Sequence, residues 1–81
     1  MNAHFASLVM GLAQQAHDAL EGRLPPGVSE SSVNPKEIAQ TLIDTLAMLE
    51  EKTQGHLAED EGRLLTEILT NLRFRFVRVV P

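Results

Sequence analysis

Few side chains in this sequence are placed to do chemistry. His17 and Glu21 are four positions apart, the spacing that brings two side chains onto one face of a helix, and Asp18 lies beside them. Such a trio could seed a zinc or general-base site. A metal needs three or four ligands, however, and the other histidines, His4 and His56, are remote in sequence. The simpler reading is a solvated His–Glu pair. A second group, Glu50, Glu51, Glu59, Asp60 and Glu61, gathers around one predicted turn. Paired carboxylates can hold magnesium or serve acid–base catalysis. Three of them, though, fall in the first turn of a predicted helix, where the dipole favours negative charge, so a solvated acidic tip is expected. No phosphate-binding glycine loop, nucleophile elbow or further metal-ligand spacing occurs. No cofactor is implied, and the expectation is a protein that is not an enzyme.

The third feature is the ending "NLRFRFVRVVP", from Asn71 to Pro81. Arg73, Arg75 and Arg78 interleave with Phe74 and Phe76, a composition that could stack on bases and neutralise phosphates. The chain has only seven Lys and Arg, a net charge of −4 and a pI near 5.2. That balance argues against non-specific binding to nucleic acid or to an anionic membrane. A nucleic-acid-binding accessory role through this segment stands as the functional competitor. Pairing of "RFVRVV" with a partner strand is a third possibility.

The elements that would position these residues read as an all-α fold of three helices in one domain. Helical periodicity covers about residues 2–21, with Phe5, Leu8, Val9, Leu12, Ala16, Ala19 and Leu20 sharing a face. Ala6, Ala13, Ala16 and Ala19 are good helix formers small enough to admit a second helix. Asn2 can cap this helix and Gly22 can end it. Residues 22–33, "GRLPPGVSESSV", form a Pro/Gly/Ser-rich loop.

The second helix, about 34–54, has the clearest start. Asn34 is the cap, Pro35 suits the first position, Glu37 completes a capping-box pattern, and Val33 with Ile38 occupies the hydrophobic-staple positions. Its stripe runs Ile38, Leu42, Ile43, Leu46 and Leu49. Gly55 then supplies positive φ.

A third helix, about 58–76, buries Leu64, Leu65, Ile68, Leu69, Leu72 and Phe76, leaving 77–81 as a tail. The short "TQGH" turn makes helices two and three an antiparallel hairpin. The first helix then covers that hairpin or exchanges onto a neighbouring copy. Arg75 comes level with the start of helix two, where Glu37 is a plausible partner.

Around these elements, "FASLVMGLAQQA", "NPKEIAQTLIDTLAMLEEKTQG" and "LLTEILTNLRFRFV" occur in an order that resembles an uncharacterised bacterial family, domain of unknown function 1844. The resemblance spans nearly the whole chain. It implies no activity, substrate or cofactor. Around the second turn that family carries an asparagine and a threonine; here His56 and Ala58 stand there, which removes a side-chain cap from helix three.

Length and composition set the remaining bounds. An 81-residue chain has a thin core, and without cysteine it has neither disulfides nor thiolate metal sites to reinforce it. Association is the remaining common way to bury more surface. Met48, Phe74 and Val77 fall off the main stripes and are the candidate interface, with Arg73 and Arg75 as ion-pairing support. A homo-oligomer is therefore expected, a dimer by preference, with an unidentified protein partner as the variant. No Lys or Arg precedes Arg23, so the first residues fit neither a secretory signal nor a mitochondrial presequence. The uncharged run Phe5 to Ala16 is too short for the roughly 20 residues of a membrane span. A cytoplasmic protein without a membrane partner is the expectation.

Overall fold

A computed structural model describes residues 1–23 and 34–79, which fold into three helices. Helix α1 spans Ala3–Leu20, α2 Pro35–Lys52 and α3 Glu59–Arg78. The Val33 staple position and the end of the predicted tail lie outside the described residues.

Each start follows from its local sequence. The Asn2 side chain accepts the Phe5 N–H at 3.0 Å, and Asn34 accepts the Lys36 N–H at 2.9 Å, so two otherwise orphaned donors are satisfied. Glu37 remains exposed, and no bond from the Asn34 N–H closes the expected capping box. Gly22 and Gly55 adopt φ of +82° and +80° after α1 and α2, a conformation that a Cβ would oppose. Thr53 helps to close α2 by donating its hydroxyl to the Leu49 carbonyl at 2.6 Å.

Helix α3 runs two residues beyond the predicted Phe76, so Val77 and Arg78 belong to the helix and not to a tail. Nothing between Phe76 and Val79 breaks a helix, and the Val79 N–H still reaches the Arg75 carbonyl at 3.1 Å. The strand-like alternation of "RFRFV" loses to this continuing hydrogen-bond ladder.

The three helices alternate in direction. At one end of the hairpin the Thr66 hydroxyl donates to Glu50 at 3.2 Å; at the other, Lys36 Nζ sits 5.1 Å from the centre of the Phe76 ring. These two contacts fix α2 and α3 as antiparallel. Helix α1 folds back onto its own hairpin, parallel to α3, and packs most closely on α2. Alanine explains that close approach, because Ala13, Ala16 and Ala19 of α1 and Ala39 of α2 are all buried.

The core consists of Val9, Ala13 and Ala16 from α1, Ile43 and Leu46 from α2, and Leu65, Leu69 and Leu72 from α3. Leu8, expected on the buried face, is half exposed instead. The buried arc of α1 centres on Val9, Ala13 and Ala16, and Leu8 stands about 100° before Val9 on the helix.

Candidate interaction surface

The acidic tip is not uniformly solvated. Glu61 is 8% exposed, and its carboxylate joins two helix starts. Oε2 accepts the Asn2 N–H and Oε1 accepts the Ala58 N–H, each at 2.8 Å. Ala58 has no side-chain acceptor, so α3 keeps only the glutamate half of a capping box. The other half of the glutamate's work is tertiary: it ties the start of α1 to the start of α3. The Asn2 N–H, and after it the Ala58 N–H, hold the Glu61 carboxyl below its ordinary pKa by stabilising the charged form. Sequence logic could have found the bond to Ala58 from the spacing alone. The bond to Asn2 depends on how α1 docks and leaves no local signal.

Among the other acids of the tip, Glu50 accepts from Thr66 across the hairpin and Asp60 lies 3.5 Å from the Met1 α-amino group. Glu59 pairs with Arg63 at 3.1 Å, one turn along an exposed face. His17 and Glu21 are not paired as expected. Arg23 draws both acids of that trio, contacting Asp18 at 3.1 Å and Glu21 more closely. His17 instead turns half-buried into a groove between α1 and α3. Among the described residues, no group of three His, Asp or Glu side chains is placed to hold a metal ion.

Among the described residues, that groove is one of two concave features along α1 and α3. It encloses about 340 Å³ between parallel helices, with Met10 and Ala13 on one wall and Leu64 and Ile68 on the other. Gln14, His17, Glu67 and Asn71 form its polar rim. Asn71 also borders a second hollow, which continues toward the helix ends past Phe74, Arg78, Leu20 and Glu21. The two hollows meet at Asn71 in one seam along α1 and α3, the first mainly apolar and the second lined by apolar and charged side chains alike.

The proposed interface residues separate against this geometry. Met48, Phe74 and Val77 are all exposed, at 45%, 59% and 74%. Phe74 borders the seam. Met48 does not: Glu50 is level with Thr66, so Met48 lies near that end of the hairpin. Phe74 is eight residues further along α3 than Thr66, about 12 Å at 1.5 Å per residue. Met48, on α2, lines neither hollow. Met10, 53% exposed, replaces it as the apolar neighbour of the seam. Sequence reasoning missed Met10 because it falls just outside the α1 stripe, and only the docking of α3 turns it into a groove wall.

The arginines also have assignments. Arg75 is exposed and donates through Nε to Asn71 at 3.2 Å; it makes no ion pair with Glu37 among the described residues. Lys36, beside Glu37, takes the position over Phe76 instead. The Arg78 guanidinium sits 5.3 Å from the centre of the Phe74 ring, within cation–π range. Arg73 is exposed.

Comparison with known families gives one match. The family described as Domain of unknown function (DUF1844) matches residues 2–78. The chain belongs to that family. The DUF1844 match takes in Asn2 and Glu61 at one end and the seam from Met10 to Arg78, all but Val79, at the other. Its biochemical function is unknown. No curated protein and no solved structure matches the chain. No described helix is long and apolar enough to cross a membrane.

Proposed function

We propose that this DUF1844 protein is a small, non-catalytic interaction module that self-associates through apolar helix faces in the cytoplasm. The carrying observation is the seam between α1 and α3, with Met10 and Phe74 more than half exposed along it. Exposed apolar side chains grouped along one hollow are candidates for burial against a partner. The core is made of three short rows of side chains, so a second buried surface adds substantially to what one copy can bury.

The nucleic-acid alternative has less support. At 100° per residue, Arg73 lies roughly 140–160° around α3 from Arg78 and Arg75, so the three do not form one basic face. Size-exclusion chromatography with light scattering, on the full chain at about tens of micromolar, tests the proposal; that range corresponds to modest interface affinities. Association gives a mass above 8.9 kDa. A monomer throughout that range removes the reading.

A further inference from the structure

The seam has a pattern that selects its occupant. Asp60, Leu64, Glu67, Asn71, Phe74 and Arg78 are spaced 4-3-4-3-4 along the single helix α3. At 100° per residue they fall within an arc of about 80°. This is the alternation of a helix–helix seam. Leu64 is half-buried at the groove, and the other five are exposed.

Read from both ends, the row is self-complementary. If two copies of α3 lie antiparallel about a two-fold axis between Glu67 and Asn71, Asp60 meets Arg78, Leu64 meets Phe74, and Glu67 meets Asn71. Each meeting occurs twice, as a two-fold contact requires. Charge agrees over the whole helix. From Glu59 to Glu67 there are four acids and one arginine, whereas Arg73, Arg75 and Arg78 are the only charges from Arg73 onward. A parallel arrangement would set acids on acids and arginines on arginines, a like-charge cost that disfavours it. The antiparallel one sets each acidic half on a basic half and opposes the two helix dipoles.

Shape agrees as well. Phe74 of the second copy arrives level with Leu64, at the groove walled by Met10, Leu64 and Ile68. The groove holds about 340 Å³, and an apolar cavity of roughly 150 Å³ is enough for a benzene ring. Arg78, now resting over Phe74 of its own chain, needs only to swing its head group to reach the facing Asp60. Asp60 has a weak competitor in the Met1 α-amino group at 3.5 Å, and its side chain is still 54% exposed.

We infer that the occupant of the α1/α3 seam is a second copy of this chain, docked antiparallel along α3 so that each Phe74 enters the other copy's groove. The inference rests on the self-association proposed above and adds its axis and register.

The chain has no cysteine, so introduced thiols report without background. Asp60→Cys and Arg78→Cys are each made in the full chain, and helical circular dichroism verifies the fold. Positions 60 and 78 are 18 residues apart, about 27 Å along the helix. In the proposed register neither variant cross-links with itself under mild oxidation, while an equimolar mixture gives a covalent heterodimer, because a disulfide needs Cα atoms within about 7 Å. Self-cross-linking of either variant overturns the register in favour of a parallel contact. No cross-linking in the mixture also overturns it. Light scattering of the unmodified chain then separates the causes: a dimer leaves self-association standing and removes only the register, and a monomer removes both.

Discussion

Phe74 offers a test in which folding and association give opposite answers. The perturbation is Phe74→Ser, which deletes the ring without disturbing the buried stripe of Leu65, Leu69 and Leu72. Complete burial of a large apolar side chain is worth about 1.5–3 kcal/mol. In a single copy Phe74 is 59% exposed, so roughly six-tenths of that value, about 1–2 kcal/mol, remains to be gained on docking. A two-fold dimer contains two rings, which makes the loss on substitution about 2–4 kcal/mol per dimer, or roughly a 30- to 900-fold weaker Kd. The folded monomer loses much less. Its ring contributes partial packing and an exposed contact with Arg78, together about 1 kcal/mol or below. Sedimentation equilibrium gives the association constant, and urea unfolding at a dilution where both proteins are monomeric gives the folding term. Met48→Lys, on α2 and outside both hollows, serves as the control and leaves association unchanged. If Phe74→Ser lowers monomer stability by about 2 kcal/mol or more while Kd stays constant, Phe74 is a core residue and the interface argument fails.

Three further outcomes follow from the fold. Leu69 is fully buried, so Leu69→Ala is expected to cost about 2–5 kcal/mol in urea unfolding, a large share of the roughly 4–12 kcal/mol typical of a chain this long; a cost below about 1 kcal/mol would displace Leu69 from the core. For Glu61→Gln the amide can accept only one of the two N–H bonds and turns its NH₂ toward the other donor, so the variant unfolds at lower urea. Because the folded Glu61 pKa is lowered, its contribution is complete above the ordinary glutamate pKa of about 4.3 and is lost as pH falls through the folded value; Glu61→Gln should flatten that acid limb, and an unchanged limb would contradict the cross-helix bond. Gly55→Ala meets no atom within 4 Å, so its expected cost, on the order of 1 kcal/mol in the melting curve, comes from φ alone.

Much of the helical architecture was legible because it depends on local signals. Asn34–Pro35 marks a helix start through capping geometry, and the 3.6-residue spacing of Leu65, Leu69 and Leu72 marks a buried face whatever it packs against. The errors arise where tertiary placement decides. Leu8 and Met10 stand on opposite flanks of the α1 stripe, and hydrophobicity cannot say which flank a neighbour covers. In the folded chain the alanines take the centre, because small residues allow α2 to approach, and both larger residues are left more exposed. Glu61 looked like one more charge in an acidic run; its burial comes from the Asn2 N–H, 59 positions away. His17 and Glu21 had the right spacing for a pair, but Arg23 outcompetes a histidine for the carboxylate. Phe74 and Val77 were recognisable as off-stripe, whereas the grouping of Phe74 with Met10 and not Met48 required the direction of α1.

The most direct test of the central claim is a dilution series of amide nuclear magnetic resonance spectra on the unmodified chain. The seam account predicts concentration-dependent shifts in two clusters, around Met10 to His17 on α1 and Asp60 to Arg78 on α3, with Met48 and its neighbours unmoved. Spectra that do not change with concentration at the mass of a monomer, or changes centred on Met48, would contradict it.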